Sequence, residues 1–471
     1  MQWLSLHLPE LPLAAFARPP GAPPLALTAG RPPRVHSTDP AARAAGVRPG
    51  QPPATALALC PALRLRPRRP DREAATLEAL AAWAGQYSDH VEVLPGAGLR
   101  LEVGGSIRLF GGLEALYRHA RRGLAQLGHD AGTGLAPTPL ASWWRALHGI
   151  AEPVEANREG AMQAAMESAL APLPIAGLGL GPEVETACRR LGLQRLGDLF
   201  ALPGADLGRR LGPELPALLE RALGKQADPR PRWQPPATFA SRLPLPEPVS
   251  AAEALLFAAR RLLGELAGWL RGRDAATAEL TFHLHHERGE PTPLTLGTLQ
   301  PVRDPDHLLG LLRERLEGFE PPAAVTELAL AAGRTAPAPP EQADLFAAPA
   351  ERPAWEPLVE RLRARLGRAA VTGLEPVPDP RPERAWRATE PGAATGDSPA
   401  TGPRPLWLLE APRPLEQPPA VAGEPERIEA GWWDGADCAR DYYTAREADG
   451  RRIWVYRDRR DGAWYLAGLF G

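Results

Sequence analysis

Lysine is almost missing from this chain: Lys225 is the only one, and arginine supplies nearly all of the 54 basic residues. A Walker-type phosphate loop needs a Gly-Lys-Ser/Thr step, and Gly224-Lys225-Gln226 does not provide it. Schiff-base chemistry would have Lys225 alone to draw on. Cysteine is also scarce. Cys60, Cys188 and Cys438 stand far apart, in no metal-ligand spacing and no disulfide framework, which fits a reducing interior. No run of about 18 uncharged apolar residues occurs, so no membrane span is expected. The first twenty residues lack a basic leader, and Pro9, Glu10 and Pro12 interrupt their apolar pattern. A secretion signal is therefore not expected, and a cytoplasmic, nucleoid-associated location is. The formal net charge is −2, so nucleic-acid binding would have to use local patches. Abundance lies in 57 prolines and 46 glycines, with much alanine and arginine, a usage from which no function follows. The 471 residues suffice for about three or four domains, each with its own core.

The stretch Leu94–Gly112 carries the clearest local pattern. Leu99, Leu101 and Val103 alternate with Arg100 and Glu102, the period of a strand with one buried face, and a helical pattern from Leu113 to Leu127 follows. A carboxylate on a strand that runs into a Gly turn suits a metal-binding acid. A plain core strand with Glu102 on its wet face is the more ordinary reading of the same pattern. Trp3–Leu8 reads as a short strand, Ala41–Ala45 as a short helix, and Ala74–Tyr87 as an amphipathic one.

From Leu173 the chain becomes small helices separated by glycines. Gly177-Leu-Gly-Leu-Gly181 has no strand before it and no βαβ unit around it, so a dinucleotide loop is not expected. A turn between two short helices fits better, and its backbone N–H groups at Gly177, Gly179 and Gly181 suit a DNA phosphate. Residues 250–332 predict a helix over 251–270, strands over 279–286 and 294–299, a helix over 307–316 and a strand from Val325. This is a small sheet covered by two helices. His283, His285 and His286 alternate as a strand's wet face does, without a matching carboxylate or cysteine, so no metal is expected. Residues 375–425 are too rich in Pro, Gly and Ala to be assigned a fold. The final segment crowds aromatics, among them Trp432, Trp433, Tyr442, Tyr443, Trp454, Trp464 and Phe470. Its last twenty residues predict a hairpin with its turn at Arg460–Gly462. These aromatics suit a mini-core or a partner-binding face, and the second is the expectation.

Several segments, in order, resemble Y-family DNA polymerases. AARAAGVRPGQPPATALALCPAL (Ala41–Leu63) is similar to the fingers of that family. Tyr87–Glu92 is similar to its "YSPxVE" stretch, Leu101–Gly105 to the "LDVTG" end of the catalytic strand, and Gly134–Pro137 to a palm turn. Residues 173–212 resemble the helix-hairpin-helix thumb, and 250–332 the little finger. The resemblance implies an α+β multidomain chain: palm and fingers over 1–165 (fingers about 20–75), thumb over 166–240 and little finger over 241–332. A Pro/Ala-rich, disordered linker over 333–426 and a small aromatic β-hairpin segment over 427–471 complete it.

The family's two-metal chemistry needs clustered carboxylates around Mg²⁺. The positions that the resemblance assigns to those acids hold His7, Pro9, Ala97 and Gly98, and the place of a family lysine falls near Trp143, with Arg145 the closest cation. Imidazole is a poor Mg²⁺ ligand, and the other three positions offer no ligating side chain. A vacant Y-family body followed by such an aromatic tail resembles accessory factors of damage-induced mutagenesis in bacteria. Gln342-Ala-Asp344-Leu345-Phe346 resembles the pentapeptide that binds the sliding clamp, with Leu345 and Phe346 suited to an apolar pocket and Gln342 to its rim.

The resemblance therefore implies a non-catalytic adaptor without metal or cofactor. Its partners would be primer–template DNA, the sliding clamp (the DNA polymerase III beta subunit), the alpha subunit of an error-prone C-family polymerase and a RecA-like ImuA protein. Two alternatives stand beside it: an active translesion polymerase with atypical ligands among Glu10, Glu102 and His7, and a protein-only hub that binds no DNA.

Overall fold

A computed structural model describes residues 1–17, 21–154, 161–338, 355–393 and 403–470. The chain divides into two compact units, Met1–Glu356 and Pro357–Gly471, with mixed α/β content and several separate sheets.

The first unit begins with β1 (Trp3–His7) and α1 (Leu11–Ala14). Residues 21–69 then build a three-stranded sheet from β2 (Leu25–Ala29), β3 (Arg34–Thr38) and β4 (Arg64–Pro67), ordered β3-β2-β4 and covered by α2 (Pro40–Ala44) and α3 (Pro53–Leu59). Ala26, Val35, Ala42, Val47, Ala56 and Leu63 form its small core. Next come α4 (Pro70–Ala84), β5 (Val91–Leu94), β6 (Gly98–Glu102), α5 (Leu113–Gln126), β7 (Gly132–Ala136) and α6 (Pro139–Leu147).

Strands β5-β6-β1-β7, all antiparallel, make a four-stranded sheet. Its leucine face (Leu4, Leu6, Leu99, Leu101, Leu135) packs with Leu77, Leu80 and Trp83 of α4 and Leu116 and Leu124 of α5. Period-two alternation turns Ser5 to the opposite face. Helix α6 lies against it, with Ser5 Oγ 2.7 Å from Ser142 Oγ. The approach leaves no room for a side chain at two positions of β7. A Cβ at Gly132 would stand 2.3 Å from the Ala146 carbonyl oxygen, and one at Gly134 2.2 Å from that of Ser142. The expected Leu99/Leu101 strand is present, but Arg100 is buried rather than wet.

Five short helices follow: α7 (Met162–Leu170), α8 (Pro182–Arg190), α9 (Leu196–Phe200), α10 (Gly204–Leu211) and α11 (Glu214–Ala222). They share one apolar core with α6, as the glycine-punctuated texture predicts.

Beyond them, β8 (Ala240–Val249), α12 (Ala252–Gly272), β9 (Ala275–His286), β10 (Thr292–Val302), α13 (Pro305–Leu316), β11 (Val325–Ala332) and β12 (Thr335–Pro337) form a sheet ordered β10-β9-β11-β8, with β12 beside β9. The predicted elements are there. Strand β8 is an addition: Pro244, Pro246 and Pro248 argue against a strand, yet β8 lies at the sheet edge, where missing N–H groups cost no ladder bond. Helix α12 also packs on α4, where Gly268 admits Trp83 so closely that a Cβ would lie 2.3 Å from its Cδ1.

The second unit corrects the expectation of a structureless linker over 333–426 followed by a lone hairpin. Helix α14 (Trp355–Leu366) precedes a short hairpin of β13 (Gly373–Pro376) and β14 (Trp386–Thr389). A five-stranded antiparallel sheet then forms from β15 (Trp407–Leu415), β16 (Val421–Ala430), β17 (Cys438–Arg446), β18 (Arg452–Asp458) and β19 (Trp464–Leu469), ordered β15-β19-β18-β17-β16. The hairpin turning at Arg460–Gly462 is β18–β19, inside this larger sheet. Strands β15, with Pro412 and Pro414, and β16, with Pro425, occupy its two edges.

Candidate functional site

The four positions that the resemblance assigns to catalytic acids lie together. In the β1–β6 register His7 pairs with Gly98, and the Leu8 N–H donates to the Ala97 carbonyl at 2.8 Å, beside Pro9. His7 also pairs with Gly132 on the other side. At Gly98 the backbone has closed over the site: a Cβ there would stand 1.9 Å from the Leu6 carbonyl oxygen.

The face beside this point is filled by the protein's own side chains. The His7 ring meets Trp143 edge-on at 5.5 Å, and the Arg100 guanidinium lies over the same indole at 5.4 Å. Arg100 pairs with Glu92 at 3.0 Å, both groups almost fully buried. Burial pulls the Arg100 pKa down, and the Glu92 charge opposes that pull. Burial likewise lowers the pKa of His7, favouring the neutral ring. Arg230, itself bound to Asp228 at 2.5 Å, stands 3.9 Å from Glu92. Arg145 is buried and donates to the Glu152 carbonyl, so its guanidinium is engaged within the fold.

Glu10 and Glu102 are not joined here. Glu102 pairs with Trp3, at the opposite end of β1 from His7, about 13 Å away at the usual rise per residue. Its Oε1 accepts from the N–H groups of Gln2 (3.0 Å) and Gly104 (3.2 Å), which is a turn-fixing role. Glu10 is paired with Arg43 at 2.5 Å. Among the described residues no group of three His, Cys, Asp or Glu side chains could hold a metal. One neutral imidazole beside Pro9, Ala97 and Gly98 does not fit a pair of Mg²⁺ ions. The Arg100–Glu92 pair and the indole plug escape sequence reading because they join residues far apart. The one signal is that Glu92 and Arg100 occupy the polar register of neighbouring strands.

Gly177, Gly179 and Gly181 form an open turn before α8, with φ of +84°, +74° and +100° and free space where each Cβ would be. Leu178 anchors the turn in the helical core. Glu183 and Glu185 occupy the first turn of α8 and already meet its dipole. Gln342, Asp344, Leu345 and Phe346 lie outside the described residues.

The aromatic tail separates into two sets. Tyr442 (3% exposed) and Trp454 (2%) stack at 4.3 Å inside the sheet's core. They are thus corrected from a partner-binding face to packing, because the sheet needs apolar area to bury. Tyr443, Trp464 and Phe470 are half-buried against the same sheet. Trp432 (79%) and Trp433 (59%) remain exposed, edge to face, on the turn between Gly431 and Gly435. That turn is fixed from beneath. The buried Arg381 guanidinium donates to both oxygens of Asp434 (3.0 and 2.8 Å) and of Asp379 (2.9 and 2.6 Å). Those bonds, with the Ala436 N–H, hold the Asp434 carboxyl down to about 2.

Residues 21–145 match the model of the impB/mucB/samB family. "Protein ImuB" of Caulobacter vibrioides is 31% identical over 90% of this chain and 100% of its own length. A "DNA polymerase IV" of Dehalococcoides mccartyi is 30% identical over 39% of this chain and 46% of its own. Among solved structures, an insertion ternary complex of Dbh DNA polymerase covers 71% of this chain and 99% of its own, at 17% identity and a TM-score of 0.37. DinB from Sulfolobus solfataricus covers 72% and 100%, at 18% identity and 0.37.

Proposed function

The chain belongs to the ImuB family, and on that premise we propose that it is a non-catalytic adaptor in bacterial translesion DNA synthesis and damage-induced mutagenesis. The observation that carries this reading is the sheet end holding His7, Pro9, Ala97 and Gly98, where nucleotidyl transfer would need carboxylates and where the Leu6 carbonyl denies Gly98 a side chain. In this reading residues 1–165 serve as palm and fingers, 166–240 as thumb and 241–332 as little finger, together holding primer–template DNA. The Gly177–Gly181 turn offers outward N–H groups to that DNA. Gln342–Phe346 docks on the sliding clamp. The second unit, through Trp432 and Trp433, holds the error-prone C-family polymerase or a RecA-like ImuA protein, and so brings a working active site to the lesion.

Primer extension tests the central claim. Purified protein with primer–template DNA, all four dNTPs and Mg²⁺ or Mn²⁺ is expected to add no nucleotide. The partial match to a DNA polymerase IV favours the rival reading of an active enzyme. Template-dependent extension that disappears in a Glu102→Ala variant would establish that rival.

A further inference from the structure

Charge is unevenly distributed along this chain. The whole carries a formal −2, yet residues 21–69 hold eight arginines against a single acid, Asp39. Asp39 is buried and engaged by backbone: its carboxylate accepts from the Leu25 N–H at 2.9 Å and the Ala42 N–H at 2.7 Å.

Five of the eight arginines are drawn to partners outside residues 21–69. Arg43 pairs with Glu10, Arg64 with Glu247, Arg68 with Glu73 and Arg69 with Asp71, while Arg66 is turned to the Pro246 carbonyl. Arg31, Arg34 and Arg48 are exposed, and among the described residues none of them meets a carboxylate.

These three share one corner. Arg31 sits in the turn joining β2 to β3, Arg34 opens β3, and Arg48 lies in the loop before α3. The loop is tied to β3: Gly50 N–H donates to the Val35 carbonyl at 2.8 Å, and Val35 N–H to that of Gln51 at 2.9 Å. Arg34 Nη1 donates to the Gly50 carbonyl at 2.9 Å, and the Gln51 side chain accepts from the Arg48 N–H at 2.8 Å. Arg48 Nη1 donates to the Arg43 and Val47 carbonyls, so the exposed Arg34 and Arg48 guanidinium groups are each anchored through one nitrogen on a cross-braced base.

We propose that Arg31, Arg34 and Arg48 form a phosphate-binding corner that grips the DNA backbone. Guanidinium presents a planar fork of donors that matches phosphate oxygens, and a cationic corner on a net-negative molecule attracts a polyanion. The proposal rests on the DNA-binding part of the adaptor reading and relocates much of the grip to residues 21–69. The Gly177–Gly181 turn, beside Glu183 and Glu185, is electrostatically the poorer partner.

The test is fluorescence anisotropy of a labelled primer–template with the full chain, titrated over a range of salt concentrations. Wild-type protein is expected to bind with a steep salt dependence. The triple variant Arg31→Ala/Arg34→Ala/Arg48→Ala is expected to weaken binding tenfold or more at low salt. It should also flatten the log–log slope by roughly 2 to 3, since each phosphate contact contributes about 0.7 to 0.9. The Arg→Lys triple variant should keep most of the slope, which separates lost charge from lost folding. Unchanged slope and affinity in the alanine variant, with wild type bound, would overturn the corner and leave the adaptor reading intact. Absence of DNA binding by wild type would instead remove the DNA part of that reading. Capture of poly-glutamate that is lost in the alanine variant while DNA binding is unaltered would reassign the corner to an acidic protein and overturn the proposal.

Discussion

An acidic side chain at position 98 would need its Cβ 1.9 Å from the Leu6 carbonyl oxygen, so β1 and β6 would have to separate to admit it. Gly98→Glu is expected to destabilise the chain by about 1–3 kcal/mol or more in urea unfolding, the range for an overpacked buried site. Ala97 is only half-buried, at the end of the β5–β6 turn, and Ala97→Asp should stay within about 1 kcal/mol. Equal costs for the two would show that the strand pair yields more readily than this geometry allows. A second residue makes stability depend on pH. His129 is buried with neither ring nitrogen partnered, and burial, reinforced by the Arg261 charge, holds its pKa well below the usual 6.5. The unfolded chain therefore takes up the proton first as pH falls. Stability present above about pH 6.5 is lost below it, at up to about 1.4 kcal/mol per pH unit, until the folded histidine titrates. His7 and His119, also lowered by burial, contribute with the same sign. Unfolding midpoints at pH 7.5 and 5.5 should differ clearly in wild type and less in His129→Leu; an unaltered difference would refute this origin.

The tail sheet separates packing from presentation. Trp454 stacks on Tyr442 within β17–β18 and lies beneath the Arg404 guanidinium, so Trp454→Ala should cost about 3–5 kcal/mol. Trp432 and Trp433 bury little. Their joint replacement by alanine should leave the melt within about 0.5 kcal/mol while abolishing pull-down of the C-family polymerase or the RecA-like partner. A stability loss as large as that of Trp454→Ala would place the pair in the core instead. The same sheet shows what sequence patterning can and cannot reveal. Strand β6 is legible because Leu99 and Leu101 alternate against a polar register, and β18–β19 because a Gly-containing turn joins two aromatic runs. Strands β15, β16 and β8 are not, because their prolines sit on sheet edges, where the usual penalty for a missing donor does not apply. That positions 7, 9, 97 and 98 come together follows from the order of motifs along the chain. The Trp143 plug is not, since no periodicity links residue 143 to residues 7 and 100.

At the scale of the whole molecule, the pentapeptide Gln342–Phe346 falls in sequence just before the boundary between the two compact units at Glu356/Pro357. In the proposed adaptor the attachments would lie on separate elements: a cationic corner within residues 21–69, a short peptide, and a tryptophan turn beyond Gly431. Tethering on one chain raises the effective concentration of each partner for the others without any new contact, so the attachments should be separable by mutation yet act together on DNA. Gln342→Ala/Leu345→Ala/Phe346→Ala removes two apolar anchors and one rim hydrogen bond, groups of the kind that dominate peptide-in-groove affinity. A loss of clamp affinity of about a hundredfold or more is expected by surface plasmon resonance, equivalent to roughly 2.7 kcal/mol or above. The same variant should keep the wild-type melting curve and the wild-type salt slope on primer–template DNA, because no residue of the cationic corner has changed. Clamp binding that survives the triple substitution would reject the pentapeptide as the attachment. A DNA salt slope that falls along with clamp binding would show that the two attachments are not separate elements.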